Sequence, residues 1–526
     1  MFDSIIRGGS VLDGSGRAAR RLDVGLRDGK IAALGDLSRA EAGESIDAAG
    51  KTVCPGFLDL HRHADAAVFR PDYGACDLFQ GITTVGNGNC GLSLAPQAGP
   101  FGEAIGGYLH PVTGDFSGIP VDTMAAYMGA LKALDLPVNV LMLAGGGTIR
   151  SGVAGFDKLR LEDQEYDEIH RRLERSLAEG AGGVSLGLGY APECYYTTGE
   201  LIRALSPIRG TDTVLSVHLR EEAMRLLPSL EEMIAVARAL RVPLQISHLK
   251  ATGRENWGRL APQALDRIAR AREEGVDVTC DAYAYTAGST QLLHILPPEF
   301  LRGGPAAITE RLRNGPARRR LLCRLQNGRD FDNYAYLAGW ENIFISAVKR
   351  PEDGRYVGLS VAQAAGGRDP ATFALDLLME NGCEVTMIDF ITSEADIALI
   401  LQSPFAYAIS DATFPTGGKL HPRVYGAFSR IIETYVNRLH ALTLPEAVNR
   451  MTRRPADRYR LKGKGRIEIG ADGDILVFDP DRVRVKATYD RPNRPAEGMD
   501  YVLVNGRIAL REGRLTGCRG GSVIGG

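Results

Sequence analysis

Six residues able to bind a metal or move a proton recur along this chain in similar settings, each closing a short apolar run. His61 and His63 end Phe57-Leu58-Asp59-Leu60-His61-Arg62-His63. A strand has a side-chain period of two, so the two imidazoles point to the same side. Cys90 lies in the turn Gly86-Asn87-Gly88-Asn89-Cys90-Gly91, His218 in Val217-His218-Leu219-Arg220, His248 in Ser247-His248-Leu249-Lys250, and Asp411 in Ile409-Ser410-Asp411. Imidazole and thiolate are the donors that zinc takes in protein sites, and a carboxylate beside such a site can carry a proton. Taken singly, each has an ordinary explanation. A buried cysteine is a small apolar residue, a lone histidine is more often part of the core, and Asp411 could cap its loop. As a set they point to a metal site. The other histidines, His110, His170, His294, His421 and His440, fall in loop or helix contexts and are not assigned to it.

Positioning such a set requires elements that deliver strand ends to one place. Ile82–Val85, Val138–Met142, Gly183–Leu186, Val214–Val217, Leu244–Ser247, Val276–Thr279 and Ala406–Ile409 read as strands after the first. Amphipathic helical stretches separate most of them, among them Glu162–Glu179, with Ile169, Leu173 and Leu177 at helical spacing, and Leu230–Leu240. Eight strands alternating with helices predict an α/β fold, a (β/α)8 TIM-type barrel over residues 56–464 whose reactive groups sit at the C-terminal strand ends. The long gap between the seventh and eighth strands predicts a mainly helical insertion at about 291–345. Its basic run Arg318-Arg319-Arg320 reads as a solvated helix face. Short strands and tight turns at both ends, such as Ser4–Gly9, Lys30–Leu34, Gly473–Asp479 and Tyr501–Arg507, predict a small composite β-sandwich domain from residues 1–55 and 465–526.

Composition narrows the function classes. With 62 Lys and Arg against 64 Asp and Glu, the net charge of −2 gives no reason to expect nucleic acid or an anionic membrane as a partner. No apolar run reaches the roughly 18 residues of a membrane span, and the N-terminus lacks a signal-peptide pattern. A cytoplasmic protein is expected, and a homo-oligomer is left open. The eight cysteines show no paired spacing and read as free thiols.

Over nearly its whole length the sequence resembles the metal-dependent amidohydrolase superfamily, and within it the D-aminoacylase (N-acyl-D-amino-acid deacylase) family. The motifs that carry the resemblance are Val53–His63, Asn89-Cys90-Gly91, Ile246–Lys250 with Asn256-Trp257-Gly258, Tyr283–Thr290, Ser410-Asp411 leading to His421–Gly426, and Gly473–Asp479 with Val504-Asn505-Gly506. Strand four, Gly183–Tyr190, has no lysine, whereas many superfamily members carry a carboxylated lysine there. The resemblance implies one tightly bound Zn2+ held by Cys90, His218 and His248, with His61 and His63 lining a second, weakly occupied position.

The implied activity is hydrolysis of N-acyl-D-amino acids to a carboxylate and a free D-amino acid. Zinc acidifies water to a pKa of about 7, and Asp411 acts as general base and then acid. The substrate is a small N-acyl amino acid, whose carboxylate Lys250 and Arg423 would clamp; Tyr190, Tyr283 (or Tyr285, which faces the same way) and Ser289 match hydroxyl-bearing family positions around the same group. Two alternatives stand beside this reading. A cyclic-amide hydrolase of the dihydroorotase or hydantoinase type usually shows the strand-four lysine, and a non-catalytic relative typically loses ligands that are intact here. The D preference comes from the resemblance alone.

Overall fold

The computed structural model describes residues 1–525. Its centre is a set of short, fully buried parallel strands that pair in sequence order in two arcs. One arc joins Phe57–Asp59, Ile82–Asn87 and Asn139–Met142. The other joins Ala144–Gly145, Val184–Gly187, Leu215–His218, Leu244–Ile246, Val278–Ala282 and Ala406–Ala408. The arcs touch at both edges. Asn139–Met142 runs on into Ala144–Gly145, and a parallel bridge pairs His63 with Thr413 while Asp411 N–H donates to His61 O at 2.9 Å. Nearly every residue of these strands is buried because helices cover them, as parallel sheets require. One such helix is Asp163–Ala178, closed at its start by the reciprocal Glu162–Glu165 capping box, with Tyr166, Ile169 and Leu173 buried.

The two chain ends meet in one nine-stranded sheet. Phe2–Val11, Arg20–Arg27, Lys30–Gly35, Ala42–Asp47 and Thr52–Pro55 come from the N-terminal end, and Ile475–Phe478, Met499–Val504, Arg507–Arg511 and Arg514–Leu515 from the C-terminal end. The seam is Thr52–Pro55 antiparallel to Ile475–Phe478. Ile6, Val24, Ile31, Val53, Ile475 and Leu503 form its own apolar core. The last strand, Val523–Ile524, leaves this sheet and pairs parallel to Val140–Leu141 of the central strands, which the sequence reading did not anticipate.

The region after the seventh central strand differs from a purely helical insertion. Helices Gly304–Arg313 and Gly315–Asn327 are present. Around them is an antiparallel sheet of Ala287–Gln291, Val385–Phe390 and Ile343–Val348, so the inserted structure runs well past residue 345. Its strands lie far apart in sequence, which short-range periodicity cannot register. Residues 99–120, rich in Gly and Phe, contain the helix Gly102–Thr113. No helix among the described residues is long and apolar enough to cross a membrane.

Candidate active site

All six residues singled out for metal or proton chemistry converge at the C-terminal ends of the central strands. Cys90 Sγ lies 3.3 Å from His61 Nε2 and 3.5 Å from His248 Nε2. His218 Nδ1 is 2.9 Å from His248 Nε2. Asp411 Oδ1 is 3.5 Å from His61 Nε2 and 3.4 Å from His63 Nε2. Three overlapping triads, His61–His63–Cys90, Cys90–His218–His248 and His61–His248–Asp411, each hold their donor atoms within 4.8 Å of one another. Three of the ten non-glycine residues with positive φ are Cys90 (54°), His248 (34°) and Asp411 (52°). Backbone held there costs energy and persists only where its surroundings impose it; in each case it turns a strand end so that the side chain points at the common centre.

The surroundings that impose it are buried carboxyl groups and one glycine turn. Asp59 accepts from Ser410 N at 2.8 Å and from Ser410 Oγ at 2.5 Å, tying the first strand to the loop that carries Asp411. Asp281 accepts from His248 N at 2.5 Å and from Gln245 Nε2 at 2.6 Å. Gly91 follows Cys90 at φ +71°, and a Cβ there would come within 2.2 Å of Glu193 Oε2. Glu193 in turn accepts from Gly187 N at 2.7 Å.

The electrostatics suit a cation. Burial holds the imidazoles of His61, His218 and His248 well below their usual pKa, so each is neutral with a lone pair to donate. Burial also pushes the Cys90 thiol up, and Asp411 adds to the effect, so its protein surroundings do not make it a free nucleophilic thiolate. A bound divalent metal would supply the missing positive charge. The donor set, one thiol and several imidazoles with a carboxylate beside them, fits zinc. Burial disfavours charge on Asp411 as well, but Arg423 and the histidines outweigh it and hold that carboxyl well below the usual range.

Glu222 is the functional neighbour that the sequence reading missed. Its Oε1 lies 3.1 Å from His248 Nδ1, and its Oε2 forms an ion pair with Lys250 Nζ at 2.6 Å. With Nδ1–H donated to Glu222, His248 keeps the Nε2 lone pair that faces Cys90, the arrangement by which outer carboxylates fix metal-binding histidines. Lys250 therefore has its contacts already made, to Glu222 and to His248 O (3.3 Å). His421 was also passed over. It accepts from Arg423 N at 3.0 Å and reaches Ala287 O at 3.1 Å, so it positions the arginine. No local motif marks Glu222, whereas the approach of His421 to Arg423, two residues on, was open to detection.

The residues expected around the substrate lie beside Asp411 and the histidine cluster. Arg423 is fully buried; Nη1 donates to Asp411 Oδ2 at 2.9 Å, Nη2 to Ser289 O at 3.3 Å, and Nε has no partner. The Tyr283 ring lies 4.9 Å from the Arg423 guanidinium, and burial pushes its phenol up to about 12. Ser289 Oγ meets Thr413 Oγ1 at 3.3 Å. Tyr190 Oη is 3.3 Å from His218 Nδ1. A cleft of about 1400 Å3 lies at the other end of the central strands, against the terminal sheet, and none of these residues lines it.

This combination of fold and donor set has known counterparts. A family profile described as "Amidohydrolase family" matches residues 44–185 and 386–510. The D-aminoacylase of Alcaligenes xylosoxydans xylosoxydans is 32% identical over 99% of this chain and 97% of its own length. The N-acyl-D-glutamate deacylase of the same organism is 34% identical over 96% and 93%. The crystal structure of N-acyl-D-glutamate deacylase from Bordetella bronchiseptica, complexed with zinc and a phosphonate mimic of the tetrahedral intermediate, superposes with a TM-score of 0.83 at 30% identity, covering 100% of both chains. The chain belongs to the amidohydrolase family, in the group of the D-aminoacylases.

Proposed function

We propose that this protein hydrolyses the amide bond of N-acyl-D-amino acids with the help of zinc, on a (β/α)8 barrel formed by the two strand arcs. Cys90, His218 and His248 would hold a tightly bound ion, with His61 and His63 lining a second, weaker position. When bound, zinc supplies Lewis acidity, acidifying water and polarising the amide carbonyl. The chain's own residues do the rest. Asp411 takes a proton from the attacking water through Oδ1, while Arg423 engages Oδ2. As water's oxygen bonds to the carbonyl carbon and the C–N bond breaks, Asp411 delivers that proton to the leaving amine nitrogen. The unpartnered Nε of Arg423 offers a buried donor to the substrate carboxylate, with Tyr283 and Ser289 beside it. Lys250 contributes its charge through Glu222 and His248.

The observation that carries this reading is Asp411 Oδ1 standing within 3.5 Å of both His61 Nε2 and His63 Nε2, across from Cys90. The test is a panel of N-acetyl-D- and N-acetyl-L-amino acids with protein whose zinc content is measured. Turnover confined to D substrates, lost on chelation and restored by zinc, is expected. Hydrolysis of hydantoins or dihydroorotate without N-acyl-D-amino acids, or zinc-loaded protein inert to the whole panel, would overturn it.

A further inference from the structure

We infer that Asp389 makes this active site selective for N-acyl-D-amino acids whose side chain is cationic, the ammonium or guanidinium group ending on its carboxylate. This rests on the deacylase reading above. Asp389 lies in strand Val385–Phe390, opposite Gly288 and Ile343 in the antiparallel sheet over the strand ends. It is 1% exposed, and neither carboxylate oxygen has a hydrogen-bond partner. Buried carboxylates are costly and are almost always paired, so one left without a partner beside a substrate site points to a partner that arrives with the substrate. Across the sheet, Gly288 offers no side chain; a Cβ there would stand 3.0 Å from Asp389 Oδ1.

The carboxylate lies within electrostatic reach of the charged residues of the site, Lys250, Arg423 and Glu222. Strand Ala287–Gln291, its immediate neighbour, gives Ser289 O to Arg423 and places Ser289 Oγ beside Thr413, two residues from the base. The charges that act on Asp389 from the packed elements are Lys250 and Arg423, with Glu222 opposing them. Both cations already have carboxyl partners, Lys250 in Glu222 and Arg423 in Asp411. Among the described residues no Lys, Arg or His nitrogen pairs with Asp389 itself. A substrate's α-carboxylate adds one more negative charge to this group. An acidic side chain would add yet another, against Asp389, whereas a cationic one restores the balance. Burial pushes the Asp389 carboxyl up to about 7, with Lys250 and Arg423 pulling the other way, so an entering cation favours its ionised form.

The test compares N-acetyl-D-arginine with N-acetyl-D-citrulline, which has nearly the same shape without the charge, and with the leucine and glutamate derivatives. The arginine derivative should exceed the citrulline derivative in kcat/KM by about ten- to hundredfold, the worth of a hydrogen bond to a charged group. Asp389→Asn should erase that ratio and leave the leucine derivative near its wild-type value. Calorimetric binding of the product D-arginine should weaken in parallel. Equal use of arginine and citrulline by the wild-type enzyme, a preference for glutamate, or an equal loss on every substrate in Asp389→Asn would each overturn the inference. If that variant does not fold, the wild-type ratio and the wild-type titration of D-arginine against D-citrulline decide. Turnover of N-acyl-D-amino acids without charge preference removes this inference alone; turnover of none removes the deacylase reading and this one with it.

Discussion

The floor of the active site and its roof are built on different principles. The floor is made of strand ends that each bring reactive side chains close behind an apolar run: His61 and His63, His218, His248 and Asp411. Its carboxylates, Asp59, Asp281 and Glu222, all have partners in the protein. The roof is an antiparallel sheet that joins Ala287–Gln291 to Val385–Phe390, about a hundred residues on along the chain, and its carboxylate, Asp389, has none. Groups that perform the same step on every substrate are fixed by the protein. A group that meets the variable part of the substrate is left to be completed by it. Damage to the floor should therefore slow every substrate alike, and damage to the roof should change which substrate is used.

The largest effect is expected on the floor. Asp411→Asn keeps the shape but cannot accept a proton, so kcat should fall by about 10²–10⁴ on all substrates while zinc content stays at the wild-type level. Normal kcat in a zinc-replete variant would show that Asp411 is not the base. Glu222→Ala comes next, because it strips Lys250 of its ion-pair partner in the interior and His248 of its orienting acceptor. Removing one member of a buried pair costs about 3–5 kcal/mol, and loss of an outer-shell carboxylate weakens metal binding by roughly 10–100-fold. Denaturant unfolding and a competitive zinc titration measure the two effects. An unchanged zinc affinity would reduce Glu222 to a counter-ion for Lys250.

Arg423→Ala tests where floor and roof meet. The guanidinium bridges Asp411 and Ser289 O, with Nε left over. Removing it should raise KM for N-acyl-D-amino acids by roughly ten- to hundredfold, the value of a charge-assisted bond to a carboxylate, and far less for an amide lacking that carboxylate. Because the same residue holds Asp411 in its ionised form, a fall in kcat on both substrates is expected as well. Equal KM changes on the two would reject the carboxylate contact.

The asymmetry between floor and roof is also an asymmetry in what the sequence reveals. A strand's alternation and a reactive residue at its end are local facts, so His61, His63, Cys90, His218, His248 and Asp411 were recoverable from short windows, and the structure brings all six together. Strand edges were less sharp. The first strand stops at Asp59, two residues before His61, and the seventh begins at Val278. Glu222 left no mark because its role depends on the approach of two helix-separated strands. The roof left none either. Ala287–Gln291 pairs with Val385–Phe390, and no periodicity spans that distance, so the intervening helices dominated the reading. Lys250 stands in a readable motif, but its pairing with Glu222 is a tertiary fact that a cation in a motif does not announce.

The smallest expected effect concerns the glycine turn behind Cys90. Burial raises the Glu193 carboxyl to about 8, from an ordinary value near 4.5. Between those values the folded protein holds a proton that the unfolded chain has released. Stability from this group is thus fully present below pH 4.5 and is lost as pH rises through 8. Glu193→Gln keeps an acceptor for Gly187 N and never titrates. The difference in thermal midpoint between variant and wild type should then move in favour of the variant from pH 5 to pH 8, by roughly a few degrees, with kcat little changed near neutral pH. A midpoint difference that is flat across this range would mean that Glu193 is ionised in the folded protein, and that the turn carrying Cys90 is braced by a charge instead of a neutral hydrogen bond.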